Sequence, residues 1–283
     1  MRTVAIVSAT GGAGRTTLTA ALASLLAARA HAALAVECDP RNVLALHFGL
    51  RESAREGLVT SLPNRGGASP SGDHWARAAL QSDDGVLVLP WGSAPQEGNG
   101  DDNGDGDDGA APLAAQRYWL RERLARVDLP ASAIALIDAA PWPSPHARQA
   151  IDAADLVLGV LTPDATACAT LPRFVSALAR TGKRAAFVAN AVVPARPLHT
   201  DLVALLRARL GPAMLPYLVH ADTGVPAALA GGANFCKSAP ASQAAHDLNG
   251  IASWISHWAA NAHAEPQDRR DSPPGNATAG ASR

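Results

Sequence analysis

Seven short, almost continuous apolar runs recur along the chain, and longer segments with helical spacing of apolar residues lie between them. The runs are residues 3–7, 34–37, 85–90, 133–138, 155–161, 185–190 and 214–219, and the clearest helical segments are residues 15–30, 113–127, 165–181, 198–210 and 241–260. Strands that are apolar throughout, rather than at alternate residues, are typical of a parallel sheet buried on both faces. The pattern therefore predicts an α/β fold with a doubly wound, mostly parallel sheet flanked by helices, which binds ligands at the carboxyl ends of its strands.

Two segments interrupt this rhythm and set the predicted domain boundaries. Residues 92–112 contain six acidic residues and no basic residue, and this composition predicts a disordered acidic insertion. A calcium loop is the alternative, because residues 101–106 match its first half, but Pro112 stands where that loop needs a bidentate glutamate. We predict one domain over residues 1–260 and a disordered tail over residues 261–283.

Composition excludes several classes of function. The chain has 283 residues and a formal net charge of −1, so its charge gives no sign of a nucleic-acid-binding protein. No apolar run reaches the roughly 18 residues of a membrane span, and the run at the N-terminus is too short for a signal peptide. We expect a cytoplasmic protein without direct membrane insertion. The three cysteines, Cys38, Cys168 and Cys236, follow neither a metal-binding nor a disulfide pattern and are expected to be small apolar filler.

The stretch "SATGGAGRTTL", residues 8–18, joins the first apolar run to the first helical segment. A glycine-rich turn between a strand and a helix N-terminus presents backbone N–H groups that can surround a phosphate. The glycines within residues 11–14 allow the backbone to approach an anion closely. Thr16 follows where a hydroxyl can reach Mg²⁺, and Thr17 can cap the helix or contact the α-phosphate. The stretch therefore predicts a nucleotide site.

This loop resembles that of the ParA/MinD group of P-loop ATPases, which reads lysine-Gly-Gly-x-Gly-lysine-Thr-Thr. Thr10 stands in place of the signature lysine, which in the group crosses a dimer interface to the partner's nucleotide. Arg15 stands in place of the loop lysine, which contacts the β- and γ-phosphates. The resemblance implies a ParA/MinD-like nucleotide-binding domain in which both lysines are replaced.

Later motifs extend the resemblance. "VECDPRN" (36–42) is similar to switch I, with Glu37 and Asp39 as its two acidic residues, the second of which orients the attacking water. "IALIDAAP" (134–141) is similar to Walker B, with Asp138 able to hold Mg²⁺ through water. "FVANAV" (187–192) places Asn190 where the group contacts adenine. The resemblance implies ATP and Mg²⁺ as cofactors and catalysis by Asp39. The implied metal contacts, mostly through water, come from Thr16, Asp39 and Asp138. The implied nucleotide contacts come from Gly11, Gly12, Ala13, Gly14, Arg15, Thr16, Thr17 and Asn190.

The chain resembles one family within this group more specifically, the cellulose biosynthesis protein BcsQ family. Its loop also lacks the lysines but keeps the glycines and threonines. "LVLPWG" (87–92), "MLPYLVHADTGVPAALAGG" (214–232) and "SAPASQAAHDLNGIASW" (238–254) are similar to that family too, and the resemblance covers roughly residues 1–260. It implies an ATP-binding accessory protein of a bacterial cellulose synthase and secretion complex, which acts in its assembly, localisation or regulation. Cytosolic subunits of that complex are the implied partners, and through them the protein would reach the inner membrane.

Two alternatives stay open: a partitioning or cell-division positioning ATPase of the ParA/MinD type, and a scaffold that binds no nucleotide. MinD-like proteins end in a basic amphipathic helix that binds membrane. Ile251, Trp254, Ile255 and Trp258 form an apolar stripe at helical spacing, but no lysine or arginine lies between residues 238 and 268. We therefore interpret this segment as the last core helix.

Replacement of both lysines predicts weak ATP chemistry. Thr10 supplies no charge, and the planar guanidinium of Arg15 is wider than an ammonium, so a loop shaped for lysine must open or push the side chain outward. Loss of one such transition-state contact costs about 10²–10³ in rate. We expect micromolar binding of ATP and marginal or absent hydrolysis. We also expect a weak homodimer, or a complex held by other contacts or a heterologous partner, because Thr10 is too short to cross an interface.

Overall fold

The computed structural model describes residues 1–62, 77–93 and 110–264 of the chain. Residues 94–109 of the predicted acidic insertion, which include the first half of the calcium alternative, and residues 265–283 of the predicted tail lie outside the described residues. A helix begins at Ala110, inside the predicted insertion, and the last helix extends to Ala264, past the predicted domain end at residue 260.

An eight-stranded sheet, counted over the described residues, forms the centre of the protein and confirms the predicted fold class. Its strands are β1 (Arg2–Val7), β2 (Ala33–Cys38), β3 (Leu80–Gln81), β4 (Leu87–Leu89), β5 (Ile134–Ala139), β6 (Leu156–Leu161), β7 (Arg184–Val192) and β8 (Met214–His220). The spatial order is β3-β4-β2-β5-β1-β6-β7-β8, and only the β3–β4 pair is antiparallel. Every residue of β2 and β5 is buried, as the continuous apolar runs predict. The loops that follow β1, β2 and β5 therefore meet at one edge of the sheet.

Helices cover both faces of the sheet. They are α1 (Arg15–Ala27), α2 (Ala110–Ala115), α3 (Trp119–Leu124), α4 (Pro145–Ala153), α5 (Ala165–Ala179), α6 (Pro197–Leu210), α7 (Gly224–Ala230), α8 (Phe235–Ser238) and α9 (Gln243–Ala264), with short 3-10 turns at Leu44–Phe48, Leu58–Ser61 and Gly211–Ala213. On one face, α1 packs against α9 and the sheet. On the other face, side chains such as Trp119, Ile151, Phe174 and Leu206 form a second core. The described residues thus form three layers, with the sheet between two layers of helices.

Two differences from the predicted helices have local causes. Segment 113–127, predicted as one helix, forms α2 and α3. The buried carboxamide of Gln149 satisfies the backbone where they separate, since its Nε2 donates to the Leu113 carbonyl at 2.9 Å and its Oε1 accepts from the Leu120 amide at 3.1 Å. Helix α4 was not predicted, although Ser144 caps it by accepting from the Ala147 amide at 3.1 Å and a proline follows the cap. Serine and then proline is a known start signal for a helix, which its short apolar pattern obscured.

The last helix belongs to the core, which confirms the interpretation of its apolar stripe. Ile251 and Ile255 are fully buried, Trp258 is nearly so, and Trp254 is partly buried against the same cluster. Among the described residues, no helix combines the length and the apolar character needed to cross a membrane.

Candidate nucleotide-binding site

The loop between β1 and α1 has the backbone of an anion-binding turn. Gly12 and Gly14 have φ angles of 70° and 89°, in the left-handed region that residues with a Cβ adopt rarely. A Cβ added at Gly11 or Gly12 would meet no atom within 4 Å, so this side of the loop faces open space. At Gly14 a Cβ would overlap with the amide nitrogen of Asn190. The glycines thus serve two needs, open space above the loop and close packing at its end.

Helix α1 directs its N-terminus at this loop. Its first backbone hydrogen bond runs from the Leu18 amide to the Gly14 carbonyl, so the amides of the three residues before Leu18 have no acceptor within the helix. No acidic residue lies in the first turn, and the positive end of the helix dipole is therefore not neutralised there. Thr16 and Thr17 are half-buried in the same turn. Free amides, dipole and hydroxyls together suit a phosphate group.

Asn190, near the end of β7, holds the loop in place. Its Nδ2 donates to the Ala13 carbonyl at 2.8 Å and touches Gly14. The contact that we expect between Asn190 and adenine stays a prediction. Because the amide nitrogen already binds the loop, Oδ1 is the atom with which Asn190 could meet a base.

Asp138 lies near the end of β5, fully buried, in register with Glu37 on β2 and Ile6 on β1. Neither of its carboxylate oxygens has a hydrogen-bond partner among the described residues. Burial raises the pKa of Asp138 to about 7, and the nearby Thr16 hydroxyl and Arg15 guanidinium oppose that rise. A buried carboxylate whose oxygens make no close hydrogen bond to the described residues, with the Thr16 hydroxyl nearby, fits a magnesium ion or the water that the ion carries, because either would provide the missing interactions.

Of the two expected outcomes, an opened loop or an outward side chain, the second is excluded, because Arg15 points inward. Its side chain is 2% exposed and reaches the ends of two strands. Nε donates to the Ala139 carbonyl at 2.8 Å and Nη1 donates to the Thr10 carbonyl at 2.9 Å, while Nη2 lies 3.8 Å from Oδ2 of Asp39. Burial lowers the pKa of Arg15, and the carboxylates of Asp138 and Asp39 oppose this effect. Only the N–H groups outside these two hydrogen bonds could meet a phosphate without breaking them.

Asp39, predicted to orient the attacking water, is buried and bound by Arg41. The Nη2 of Arg41 donates to Oδ2 at 2.6 Å, its Nε lies 3.1 Å from both carboxylate oxygens, and its backbone amide donates to Oδ1 at 3.0 Å. The Arg41 side chain is 52% exposed and can leave without disrupting the core. Sequence reasoning missed this arginine. The sequence feature that could have revealed it is the position of Arg41 two residues after Asp39, because a turn at Pro40 can bring residues i and i+2 together.

Glu37 fixes the loop that carries Asp39. Its Oε1 accepts from the amides of Val43 and Leu44 at 2.6 and 2.8 Å, and its Oε2 accepts from the Trp91 amide at 3.4 Å. Burial raises the pKa of Glu37 to about 8, and the negative charge of Asp138 adds to the rise. Glu37 therefore joins the loop after β2 to the chain after β4, a structural role that its place in the motif does not indicate.

The fold brings the predicted residues to one edge of the sheet, where the loops after β1 and β2 meet the ends of β5 and β7. The residues there are Gly11, Gly12, Ala13, Gly14, Arg15, Thr16, Thr17, Asp39, Asp138 and Asn190. Their roles toward a nucleotide and Mg²⁺ stay predictions.

A mostly parallel sheet with a glycine loop after one of its central strands is the architecture of the ParA/MinD-type P-loop NTPases. Solved structures of such proteins are similar to this fold. Cobyrinic acid a,c-diamide synthase from Mycobacterium smegmatis, solved with an ATP analog and magnesium, gives a TM-score of 0.70 at 18% identity, over 92% of this chain and 97% of that chain. MinD from Pyrococcus horikoshii OT3, complexed with Mg-ADP, gives 0.68 at 20% identity, over 90% and 95%. An ATP complex of a McdA variant from Cyanothece gives 0.69 at 17% identity, over 90% and 96%. At these identities the likeness establishes the fold alone.

The sequence establishes the family. The model of the family described as cellulose biosynthesis protein BcsQ matches residues 1–255. The chain therefore belongs to the BcsQ family, and the predicted membership of that family is confirmed. No curated protein matches the sequence of this chain.

Proposed function

We propose that this chain binds ATP with Mg²⁺ at the loop between β1 and α1 and serves as an accessory protein of a bacterial cellulose synthase complex. Its work lies in the assembly, localisation or regulation of that complex, and cytosolic subunits of the complex are its partners. It acts in the cytoplasm and reaches the inner membrane through those partners. Family membership supports the link to cellulose synthesis. Proteins of the same fold with bound ATP analog or ADP and magnesium support the cofactors.

One observation carries the nucleotide site: an open glycine loop lies beside a buried carboxylate without a hydrogen-bond partner among the described residues. The backbone amides at the start of α1 would hold the phosphates, and Thr16 and Asp138 would hold the metal, mostly through water. Bound Mg²⁺ neutralises phosphate charge and brings hydrogen-bond donors with its water. An apolar residue in place of Asp138 would be less costly to bury, so the carboxylate indicates a binding role.

Calorimetric titration with Mg·ATP tests this site. The wild type should bind with micromolar affinity, and Gly12→Val should abolish binding because its side chain projects into the open space above the loop. Gly182→Val is the matched control, since Gly182 has a φ of 66° against 70° for Gly12 and also faces open space. Both variants should lose roughly 1–2 kcal/mol of stability to backbone strain, but only Gly12→Val should lose the nucleotide. Equal affinity in all three proteins would remove the loop from the proposal, and absence of binding in the wild type would favour the scaffold.

We further propose that hydrolysis is slow or absent. Arg41 holds both oxygens of Asp39, and two carbonyl groups hold the guanidinium of Arg15. Thr10 offers no charge in place of the signature lysine. The groups that would position water and stabilise the charge on the γ-phosphate are thus either engaged or missing.

Single-turnover hydrolysis by the purified protein tests this proposal, alongside Asp39→Ala and the double change Thr10→Lys with Arg15→Lys. We expect little turnover in the wild type and a rise in the double variant only. Brisk wild-type turnover that disappears in Asp39→Ala would contradict the proposal.

Pull-down from the native host tests the partners. Cytosolic subunits of the cellulose synthase complex should be recovered with the wild type, and comparison with Gly12→Val shows whether recovery depends on nucleotide. Light scattering with and without Mg·ATP should show a weak homodimer. Nucleotide-dependent binding to DNA or to vesicles, with no cellulose synthase subunit recovered, would favour the positioning ATPase instead.

A further inference from the structure

The Arg15 guanidinium joins three parts of the chain at the edge of the sheet. It donates to the carbonyls of Thr10, at the start of the glycine loop, and of Ala139, at the end of β5. It also faces the Asp39 carboxylate after β2, with 3.8 Å between Nη2 and Oδ2. A lysine ammonium is a compact charge, whereas the planar fork of arginine presents five N–H donors in fixed directions. The fork therefore matches an arrangement of acceptors that lie in different directions.

The surrounding charges explain why a cation lies there. Asp39 and Asp138 are 2% and 0% exposed, and Arg15 is the only buried arginine or lysine among the described residues. The negative charge of Asp138 acts on Arg15 more strongly than that of Asp39. Arg41 contacts Asp39 directly, at 2.6 Å and from the exposed side, and its charge also acts on Asp138 from farther away. Asp39 and Asp138 repel each other electrostatically, and without Arg15 the half-exposed Arg41 would be the cation left beside them in this group.

We propose that Arg15 is the counter-cation of the Asp39–Asp138 pair in the nucleotide-free protein, and that it excludes a divalent cation from these carboxylates until the guanidinium moves. A free metal ion would have to approach both carboxylates against a positive charge that is already close to them. A nucleotide phosphate removes this conflict, because it offers the guanidinium another anion. Metal and nucleotide then enter together, and metal alone does not bind. The proposal concerns the same site as the proposed function, but its test uses metal without nucleotide.

The probe is Mn²⁺ without nucleotide, and electron paramagnetic resonance measures how much of it is bound to the protein. Wild-type protein without nucleotide should leave Mn²⁺ free in solution. Arg15→Met removes the charge and keeps much of the apolar stem, so Mn²⁺ should bind at least about tenfold more tightly than to the wild type. Arg15→Lys keeps the charge and should resemble the wild type. Arg41→Met is the matched control, since it removes a cation from the same Asp39 but leaves Arg15 in place, and it should not create tight Mn²⁺ binding.

Thermal unfolding gives a second readout. Arg15→Met should lower the Tm by roughly 5–10 °C in a chelator, because it leaves buried carboxylates without their cation. Excess Mn²⁺ should restore about half of that loss, and it should leave the wild type and Arg15→Lys unchanged.

Tight Mn²⁺ binding by wild-type protein without nucleotide would overturn the proposal, and this measurement does not depend on whether Arg15→Met folds. Equal Mn²⁺ affinity in Arg15→Met and Arg15→Lys would also overturn it, because charge would then not decide access. Neither result bears on the loss of nucleotide expected for Gly12→Val, so the two proposals can fail separately.

Discussion

Helix α1 contains two regions that are stabilised in different ways. From Leu18 onward it packs against α9 and the sheet through apolar side chains, with Leu22 and Leu26 fully buried. Its first turn instead places a buried arginine among carbonyls and carboxylates, beside an Asp138 that has no hydrogen-bond partner among the described residues. The helix is continuous, so backbone geometry does not separate the two regions.

The difference shows which part of the helix stabilises the fold and which part serves a ligand. Apolar burial is favourable at roughly 25 cal/mol per Å², whereas buried ions must recover their hydration through good partners. Replacement of this whole set of buried charges by apolar residues of similar volume often costs a fold no stability, whereas removal of one charge alone is costly. Buried charges of this kind, which do not serve the stability of the fold, are concentrated at functional sites.

The largest expected effect of a substitution tests the apolar region. Leu22→Ala should lower the free energy of unfolding by about 3 kcal/mol, because it leaves a cavity between α1 and the sheet. Urea denaturation measures the loss, and Leu25→Ala, at a partly buried position of the same helix, should cost about 1 kcal/mol. The affinity of folded Leu22→Ala for Mg·ATP should equal that of the wild type. A weakened affinity would mean that the two regions are coupled.

The next effect tests the charged region. Asp138→Asn should weaken Mg·ATP binding at least about tenfold, equivalent to 1.4 kcal/mol, and leave ATP binding in a chelator unchanged. Calorimetry in both buffers separates the two effects. Asp152→Asn is the control, because Asp152 is a buried carboxylate paired with Arg117 and is not among the predicted site residues. It should cost stability and spare the nucleotide. Equal loss with and without metal would contradict a metal role for Asp138.

The pH dependence of stability tests Glu37, another buried carboxylate near the site. The folded state holds a proton on Glu37 up to about pH 8, whereas the unfolded chain releases it near the ordinary value of 4.5. Between these values the folded state binds more protons, so the contribution of Glu37 to stability falls as pH rises. With the pKa raised from 4.5 to about 8, the fall should be on the order of 4 kcal/mol between pH 5 and 8.5. Urea midpoints across this range should decline less in Glu37→Gln, and an unchanged slope would show that another group titrates.

The last and smallest effect concerns the hydrogen bond through which Asn190 fixes the glycine loop. Asn190→Ala removes the hydrogen bond to the Ala13 carbonyl and should cost about 1 kcal/mol. Nucleotide affinity should fall a few-fold because the loop is less fixed. Asn249→Ala is the control, since its amide donates to the Ala245 carbonyl within α9 at 3.0 Å, and it should leave affinity unchanged. Equal affinity in Asn190→Ala and the wild type would show that the loop keeps its shape without this contact.

The layers, the strands and the place of the candidate site can be predicted from the order of the residues. Continuous apolar runs become buried parallel strands, and glycines between a strand and a helix become a left-handed turn, because both depend on residues that are neighbours in the chain. The edge that collects the predicted residues also follows from the sequence, since the carboxyl ends of parallel strands face the same way. The stripe on α9 was assigned to the core for the same kind of local reason.

The partners of the charged groups, in contrast, are set by the packing of distant segments. The inward direction of Arg15 depends on the Ala139 carbonyl, 124 residues away along the chain. The roles of Glu37 and Gln149 likewise depend on the Trp91 amide and on the carbonyls between α2 and α3. A polar side chain can satisfy its hydrogen bonds in many ways, and the partner it meets is set by how the strands and helices pack. Apolar pattern and turn chemistry are local and can be predicted, whereas the pairing of buried charges is fixed only when distant segments meet.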